Sequence, residues 1–295
     1  MTVCKQNRLF MPKIKGTTKL LGVVGYPIEH SRSPIMHNAA IAFLGVDYIY
    51  LPFSVTPDHF ATAINGFKSI NNLVGFNLTI PHKQAIIPLL DEISPMAKAI
   101  KAVNTVIRTE RGWIGTNTDV DGFIAPLKTY NYNWNRKKAV ILGCGGAARA
   151  VVAGCVNLGC AEIHVIGRNY AKLIDFQTSW LNSPFKVNIN VHTWDKLPQF
   201  LPDVDLLVNT TPIGMYPNIN ETPIDVNLMA KLTPEVIVYD LIYTPKPTEF
   251  LKLAQNQGAI AIDGLEMLVQ QGAKALELWL NQSIPIDIMR QAIDN

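Results

Sequence analysis

Residues 138–150 read Lys-Ala-Val-Ile-Leu-Gly-Cys-Gly-Gly-Ala-Ala-Arg-Ala, and this stretch decides the fold. An apolar run ends at Gly143, where small residues open a segment of helical periodicity, so the pattern G-x-G-x-x-A lies between a predicted strand and a predicted helix. Gly143 permits the tight turn, Gly145 lets the backbone approach a pyrophosphate, and Ala148 allows close packing of helix on strand. A flexible turn in another α/β protein is the alternative, but the flanking elements favour a Rossmann-like dinucleotide site.

The end of the next predicted strand favours one dinucleotide over the other. Residues 165–169 place no acid where NAD-specific domains use Asp or Glu to hold the ribose 2′-hydroxyl. Arg168 would instead meet a 2′-phosphate with two parallel hydrogen bonds, and Lys172, one helical turn further on, would add a second positive charge. Either cation is otherwise an ordinary exposed side chain. The sequence therefore predicts NADP as the cofactor.

Outward from this stretch, apolar runs alternate with segments of helical periodicity in both directions. Such alternation predicts βαβ units and a mainly parallel sheet, so the predicted fold class is α/β. A chain of 295 residues exceeds the size at which one hydrophobic core usually stops growing, so two domains are expected. The polar, non-periodic stretch 130–136 marks the junction between them. After Gly264, two helical segments, 265–280 and 287–293, have apolar faces that either domain could cover.

The same periodicity sets the limits of the individual elements. The predicted strands are 20–24, 48–55, 73–80, 138–142, 163–166, 187–191, 206–208, 236–239 and 259–262, and the first two helices are 34–44 and 59–67. Residues 110–112 lie between two strand-like runs, 105–108 and 113–116, and predict a hairpin. Pro81 is expected to open a further helix, because proline is tolerated in the first turn.

Charge and composition exclude several classes of partner. The 26 Lys and Arg residues and the 23 Asp and Glu residues are scattered, which argues against a nucleic-acid surface. The most apolar long stretch, 139–156, is interrupted by glycines and an arginine, so we expect no membrane span. The four cysteines form no CxxC pair or Cys/His cluster, which predicts no metal site and favours reduced thiols in the cytoplasm. Residues 1–18 are basic and are interpreted as a leader, either disordered or an address signal.

Polar residues gather at three strand ends in the first half of the chain. The carboxyl ends of parallel strands share one edge of a sheet, so these groups are expected to line one crevice. Hydroxyl, amide, amine and carboxylate groups suit a small polyhydroxylated acid rather than a lipid. Helix capping is the alternative for Ser31, Ser33 and Asp119. The three groups are Ser31-Arg-Ser33-Pro-Ile-Met-His-Asn38, Asn77-Leu-Thr79-Ile-Pro-His-Lys83, and Asn104-Thr105 with Asn117-Thr-Asp119.

Longer motifs surround these polar groups. The first two are Gly25-Tyr-Pro-Ile-Glu-His-Ser-Arg-Ser-Pro-Ile-Met-His-Asn38 and Gly75-Phe-Asn-Leu-Thr-Ile-Pro-His-Lys83, and others cover 102–105, 115–123, 143–150, 209–215 and 264–271. Together they resemble the shikimate dehydrogenase family, with order and spacing kept from about Leu21 to the C-terminus. The combination is far more specific than any one motif.

The resemblance implies a reversible, NADPH-dependent reduction of 3-dehydroshikimate to shikimate, on the route to chorismate and the aromatic amino acids. It also implies a substrate domain of 19–122 with 264–295, interrupted by an NADP-binding domain of 123–263, in a monomer or homodimer. Lys83 and Asp119 match the family's catalytic pair. The residues that match substrate contacts are Ser31, Ser33, Asn77, Thr79, Lys83, Asn104, Asp119, Tyr243 and Gln271. Those that match cofactor contacts are Gly143, Gly145, Gly146, Ala147, Ala148, Arg168, Asn169, Lys172, Thr210, Met215, Gly264 and Met267.

The chain departs from the family pattern at three positions, and two alternative functions stay open. Gly167 and Asn169 replace the usual Asn and Thr around the NADP-binding arginine, an exchange expected to weaken the 2′-phosphate site without reversing the preference. Arg32 stands between two serines, where smaller or apolar residues are frequent. A quinate-using relative has similar motifs, although Ser31 with Ser33 favours shikimate. A non-catalytic NADP-binding regulator would lack the lysine and the aspartate, which are present here.

Overall fold

The computed structural model describes residues 13–130, 132–181, 183 and 188–294. Strands and helices alternate along them and form two sheets, one in each half of the chain. The strands of the first sheet are β1 (Lys19–Gly25), β2 (Tyr48–Ser54), β3 (Gly75–Leu78), β4 (Glu92–Ile93), β5 (Thr105–Thr109) and β6 (Gly112–Thr116). The helices in this half are α1 (Ser33–Leu44), α2 (Phe60–Lys68), α3 (Pro95–Ile100) and α4 (Asp119–Leu127).

The first sheet is mixed, in the order β2-β1-β3-β5-β6-β4. β1 pairs in parallel with β2 and β3, as expected for βαβ units, whereas β5 runs antiparallel to both of its neighbours. β5 and β6 form the predicted hairpin around residues 110–112. The polar segments that follow β1 and β3 are thereby brought to one edge of the sheet, because these two strands are adjacent and parallel.

The second sheet is built from the other half of the chain. Its strands are β7 (Lys138–Leu142), β8 (Glu162–Gly167), β9 (Ile189–Thr193), β10 (Leu206–Asn209), β11 (Ile237–Asp240) and β12 (Ile260–Ile262). Its helices are α5 (Gly146–Leu158), α6 (Tyr170–Thr178), α7 (Val226–Met229) and α8 (Glu249–Asn256). The order is β12-β11-β10-β7-β8-β9, and each pairing among these described strands is parallel. The chain order reverses between β7 and β10, where open α/β sheets bind ligands, so the predicted α/β class with a Rossmann-like domain is confirmed.

The last two helices, α9 (Leu265–Leu280) and α10 (Ile286–Ile293), return to the first sheet. They share a hydrophobic core with α1, β1 and β2. The Trp279 indole donates to the Val106 carbonyl at 2.9 Å, and the Arg290 guanidinium binds both oxygens of Glu266 at 2.8 Å. The apolar faces that could have covered either domain therefore lie on the first sheet, and α9 also packs along α4.

One helix prediction is wrong. The segment after Pro81 forms consecutive turns and a short 3₁₀ helix, Ile87–Leu89, instead of an α-helix. Pro88 explains the difference, because a proline lacks the amide that an α-helix needs and disfavours helical torsion angles at the residue before it.

Two predictions fall partly on residues that the structure does not describe. Residues 1–12 of the expected leader and Val187, the expected start of one strand, lie outside the described residues. The hydroxyls of Thr17 and Thr18 donate to the Asp47 carboxylate and lead directly into β1. Among the described helices, none is long and apolar enough to cross a membrane.

Candidate active site

The carboxylate of Asp119 lies at the start of α4, where a lysine from a different segment contacts it. Lys83, in the turns after β3, places its Nζ 2.6 Å from Asp119 Oδ2. The side-chain amide of Asn104 donates to the other oxygen, Oδ1, at 2.8 Å. The side chains of the pair are 19% and 8% exposed, so water screens their attraction only in part. The structure thus brings together the two residues expected to form a catalytic pair.

The carboxylate of Asp119 is used for this ion pair rather than for capping. Thr118 occupies the N-cap position of α4, and no side-chain capping bond is formed there among the described residues. The backbone N–H of Asp119 donates to Asn117 Oδ1 at 2.9 Å, and Asn117 Nδ2 donates to the Ala102 carbonyl at 3.1 Å. Asn117, one of the polar residues expected at the crevice, therefore fixes the turn that presents Asp119.

Asn104 connects the Lys83–Asp119 ion pair to further segments of the chain. Its Oδ1 accepts from the backbone N–H of Thr118 at 2.8 Å and from the Thr105 hydroxyl at 2.9 Å. Its Nδ2 donates to Gln271 Oε1 at 3.3 Å as well as to Asp119. Because Gln271 belongs to α9, the returning helix is tied directly to the site. Asn104 is buried, so these hydrogen bonds are shielded from water.

Asn77, on β3, joins this network from the other side. Its Nδ2 donates to the Asn104 carbonyl and to Thr105 Oγ1, both at 3.0 Å. Its Oδ1 accepts from the Tyr50 hydroxyl at 2.7 Å. Sequence reasoning placed Thr105 among the polar residues expected at the crevice but missed Tyr50. The available signal was that a tyrosine in a buried strand needs a partner for its hydroxyl.

Thr79 lies just beyond β3 and is half-buried. Its backbone N–H donates to the Val24 carbonyl at 3.0 Å. A Cβ atom on Gly25 would lie 2.3 Å from Thr79 Cγ2, so the glycine at the end of β1 leaves the space that the threonine occupies. The carboxyl ends of β1 and β3 therefore meet at Thr79, next to Asn77.

Ser31 and Ser33 lie at the start of α1, close to Tyr243. Arg32 is the N-cap residue of this helix, with no side-chain capping bond among the described residues, and Ser31 Oγ accepts from the Ser33 amide at 3.3 Å. The backbone of Arg32 forms a hydrogen bond with the Tyr243 hydroxyl, so this tyrosine lies beside the start of α1. Burial raises the pKa of Tyr243, and this hydrogen bond and the charge of Arg32 oppose the rise.

The unusual residue between the two serines has a structural role. The guanidinium of Arg32 donates to the carbonyl of Ile293, where α10 ends. The last carbonyls of a helix carry partial negative charge, so a cation there is stabilising. This departure from the family pattern thus fastens α10 beside Ser31 and Ser33.

The glycine-rich turn between β7 and α5 has the geometry that a pyrophosphate requires. Gly143 has a φ of 104°, in the left-handed region, and a Cβ there would lie 2.7 Å from Thr210 Oγ1. Gly145 is the N-cap residue of α5, and no described atom lies within 4 Å of a Cβ built on it. Ala148 is fully buried, so α5 packs closely on the sheet. The open space at the helix start, with its outward-facing amides, fits an anionic dinucleotide.

The segment that carries Lys83 borders this turn, and two further cations lie near it. A Cβ on Gly146 would lie 4.0 Å from Cδ of Lys83, so the segment that carries the lysine borders the start of α5. Burial raises the pKa of the Cys144 thiol, while the charges of Lys172 and Arg149 oppose that rise. Lys83 and the glycine-rich turn therefore border each other.

Arg168 and Lys172 are exposed beside the end of β8. Asn169 caps α6, its Oδ1 accepting from the Lys172 backbone N–H at 3.0 Å. A Cβ on Gly167 would lie 2.9 Å from Leu173 Cδ2, so a larger residue would require the buried Leu173 side chain of α6 to shift. The two departures around Arg168 therefore shape the start of α6 and leave both cations at the surface.

The remaining predicted cofactor residues differ in how exposed they are. Ala147 is half-buried in the first turn of α5, and Met215, beyond β10, is 37% exposed. Gly264 lies against the loop that follows β11, because a Cβ on it would lie 2.1 Å from the Leu241 carbonyl oxygen. Met267 is buried in the hydrophobic core. In this structure Ala147 and Met215 present surface to a ligand, whereas Gly264 and Met267 occupy packing contacts.

The sequence matches two family models with related descriptions. Residues 23–106 match the shikimate dehydrogenase substrate binding domain, and residues 264–293 match the shikimate 5′-dehydrogenase C-terminal domain. A protein of Trichormus variabilis named shikimate dehydrogenase (NADP(+)) is 63% identical over 282 residues, which cover 95% of this chain and 97% of the relative. The chain belongs to the shikimate dehydrogenase family.

Solved structures of similar fold include enzymes with other substrates. The shikimate dehydrogenase of Aquifex aeolicus has a TM-score of 0.85 at 32% identity, covering 96% of this chain and 100% of that one. A quinate dehydrogenase of Corynebacterium glutamicum, solved with NAD, has a TM-score of 0.83 at 29% identity, covering 93% and 98%. The fold of the shikimate dehydrogenase family therefore leaves the choice of substrate and cofactor to individual side chains.

Proposed function

We propose that this chain catalyses the reversible, NADPH-dependent reduction of 3-dehydroshikimate to shikimate, on the route to chorismate and the aromatic amino acids. The observation that carries the proposal is the ion pair of Lys83 and Asp119, 2.6 Å long, facing the start of α5. Dehydrogenation of an alcohol needs a proton acceptor close to the hydride acceptor. A protein that only bound NADP as a regulator would not need such a pair.

The cofactor would be held along the carboxyl edge of the second sheet. NADP supplies or accepts the hydride when it is bound. The first amides of α5 would bind its pyrophosphate, since Gly143 and Gly145 leave room for it. Arg168 would pair with the 2′-phosphate and Lys172 would add positive charge, because no acid follows until Asp175.

Lys83 would exchange a proton with the reacting hydroxyl. During oxidation of shikimate the hydroxyl must lose its proton as hydride leaves carbon, and in the reverse direction the forming alkoxide must gain one. The neutral amine of Lys83 takes that proton, and its ammonium form returns it. Asp119 orients the lysine and accepts a hydrogen bond from the same hydroxyl, while Asn104 holds the carboxylate in place.

The other polar groups would fix the substrate ring. Ser31 and Ser33 would donate to the substrate carboxylate, and the Tyr243 hydroxyl, which lies beside the start of α1, would contact the substrate as well. The groups that would bind ring hydroxyls or the carboxylate are Asn77, Thr79, Asn104 and Gln271. A ligand held from both ends keeps the reacting carbon in one position, which supplies much of the rate enhancement.

This function also suggests how the chain is divided. Residues 19–122 and 264–295 would form the substrate domain, and residues 123–263 would form the cofactor domain. The first boundary between the two domains would then fall inside α4. Among the described cysteines, Cys144, Cys155 and Cys160 are free thiols, which supports a reducing compartment such as the cytoplasm. All candidate site residues come from one chain, so a monomer and a homodimer would each carry complete sites.

Steady-state oxidation of shikimate and quinate, each with NADP+ and NAD+, tests the proposal. We expect the highest kcat/KM for shikimate with NADP+. Equal or faster turnover of quinate would assign the chain to quinate-using enzymes. Tight NADP+ binding without turnover of either acid would indicate a regulator instead.

A further inference from the structure

A buried carboxylate outside the expected site lies at the end of β11. Asp240 is 0% exposed. Asn209 Nδ2 and the backbone N–H of Ile242 donate to its Oδ1 at 3.0 and 3.1 Å, and the Thr248 hydroxyl donates to Oδ2 at 2.7 Å. All of these partners face Asp240 as donors, so both positions require an acceptor.

The first partner, Asn209, shapes the loop after β10. Its Oδ1 accepts from the backbone N–H and the hydroxyl of Thr211, at 3.0 and 2.7 Å. Its Nδ2 also donates to the Ile213 carbonyl at 3.3 Å. This loop carries Thr210, whose Oγ1 would lie 2.7 Å from a Cβ built on Gly143, so Asp240 is connected to the dinucleotide turn through the side chain of Asn209.

The other two partners belong to the loop after β11. Ile242 directly precedes Tyr243, whose hydroxyl lies beside the start of α1. Thr248 closes the loop, because its hydroxyl also caps α8 by accepting from the Leu251 N–H at 3.3 Å. Asp240 therefore holds both ends of the segment that carries the substrate-side tyrosine.

We propose that Asp240 is a positioning residue that sets the loop after β10 and the loop after β11 against each other, and so aligns the nicotinamide end of the cofactor with the substrate. The inference rests on the proposed function, because it concerns the same cleft. Asp240 itself touches neither reactant. A single buried acceptor shared by two loops makes their relative position depend on one side chain.

Stability alone does not account for this carboxylate. Burial raises the pKa of Asp240 to about 6, against the opposing effect of its hydrogen bonds, and the charge of Asp263 adds to the rise. Lys246 lies 3.5 Å from Asp263 and offsets part of that charge. Because the pKa is higher in the folded than in the unfolded chain, the group favours folding most at low pH, and this contribution is lost as pH rises through about 6. At neutral pH the ionised group therefore favours folding less than its protonated form would, and such perturbed groups are common at functional sites.

Replacement of Asp240 tests the proposal. In Asp240→Ala both loops lose their acceptor, and we expect kcat for shikimate oxidation to fall about 10–100-fold, as small displacements of reacting groups do. The affinity for NADP+, measured calorimetrically, should also fall. The affinity for 2′,5′-ADP, which lacks the nicotinamide, should stay within about twofold of the parent value. Asp240→Asn keeps an acceptor at the Oδ1 position for Asn209 and Ile242 but turns an amide N–H towards the Thr248 hydroxyl, so kcat and NADP+ affinity should both lie between those of Asp240→Ala and the parent.

Asp225→Ala is the matched control. Asp225 is an exposed aspartate that caps α7 by accepting from the Leu228 N–H at 2.8 Å, so its loss should lower the Tm and leave kcat and both affinities unchanged. Equal losses of NADP+ and 2′,5′-ADP affinity in Asp240→Ala, or an unchanged kcat, would overturn the positioning role. If that variant does not fold, Thr248→Val, which removes one hydroxyl, is used instead. It should show smaller decreases in kcat and in NADP+ affinity, with the affinity for 2′,5′-ADP again close to the parent value. A parent protein inactive on shikimate would refute only the proposed function, because the comparison of the two ligands tests Asp240 without turnover.

Discussion

The ammonium of Lys83 lies 2.6 Å from Asp119 Oδ2, although the two residues belong to separate segments on the first sheet. The lysine comes from turns after β3, and the aspartate begins α4. Asn104 holds the aspartate from the other side at 2.8 Å, so the carboxylate has little freedom to leave the lysine. The pair therefore acts as one unit, and its parts should not contribute independently to the rate.

The first prediction concerns this pair. Lys83→Ala should lower kcat for shikimate oxidation by about 10²–10⁴-fold, the usual contribution of a general acid–base group. NADP+ affinity, measured by fluorescence titration, should stay nearly constant, since the lysine is remote from the adenosine end. Lys98→Ala, at an exposed lysine on α3, is the control and should leave kcat unchanged.

Asp119→Asn should act like the lysine change, and the double variant should lose far less than the product of the two single effects. Multiplicative losses would show independent roles. Unaltered turnover in Lys83→Ala would remove the lysine from the chemistry altogether.

The second prediction concerns anchoring of the substrate carboxylate. Ser31→Ala and Ser33→Ala should each raise KM for shikimate, because each removes a hydrogen bond to a charged group worth about 1.5–3 kcal/mol, or one to two decades in affinity. Initial rates over a range of shikimate concentrations, at saturating NADP+, give the comparison. A large drop in Tm with unchanged KM would instead support a local structural role, such as the bond between Ser31 Oγ and the Ser33 amide.

The parts of this site that could be predicted from sequence depend on local chemistry. The turn at Gly143 needs a left-handed φ and small neighbours, and both requirements appear within a few residues. The contact of Asn104 with Gln271 joins positions 167 apart, so no local pattern records it, and the family resemblance alone placed Gln271 at the site. The missed hydrogen bond of Tyr50 to Asn77 is similar, because it joins strands that are not neighbours in the sheet. The local pattern at Pro81 predicted an α-helix that does not form, because Pro88 follows within seven residues and is incompatible with it.

The third prediction tests the contact between α4 and α9. A Cβ on Gly122 would lie 2.6 Å from the Met267 carbonyl oxygen, and backbone cannot move aside as a flexible side chain can. Alanine in a helix gains about 0.5–1 kcal/mol over glycine, whereas overpacking costs about 1–3 kcal/mol, so Gly122→Ala should destabilise the protein. Gly66→Ala is the control on α2, where no described atom lies within 4 Å of the new Cβ, and it should stabilise. Urea denaturation of both variants measures the difference, and equal stabilisation by both would contradict the close helix contact.

The last prediction concerns the choice of cofactor. Arg168 and Lys172 are exposed at the end of β8, and the sequence offers no carboxylate there before Asp175, so a doubly charged 2′-phosphate finds positive charge while a ribose diol finds no acidic partner. Arg168→Ala should therefore raise KM for NADP+ by about one to two decades and KM for NAD+ very little, because only NADP+ carries the phosphate whose charge-assisted bonds are removed. Arg136→Ala, at an exposed arginine ahead of β7, is the control and should affect both cofactors equally and weakly. Steady-state kinetics at one fixed ionic strength make the comparison, since these interactions are screened by salt. Equal losses for the two cofactors in Arg168→Ala, or a parent enzyme that prefers NAD+, would overturn the assignment of Arg168 to the 2′-phosphate.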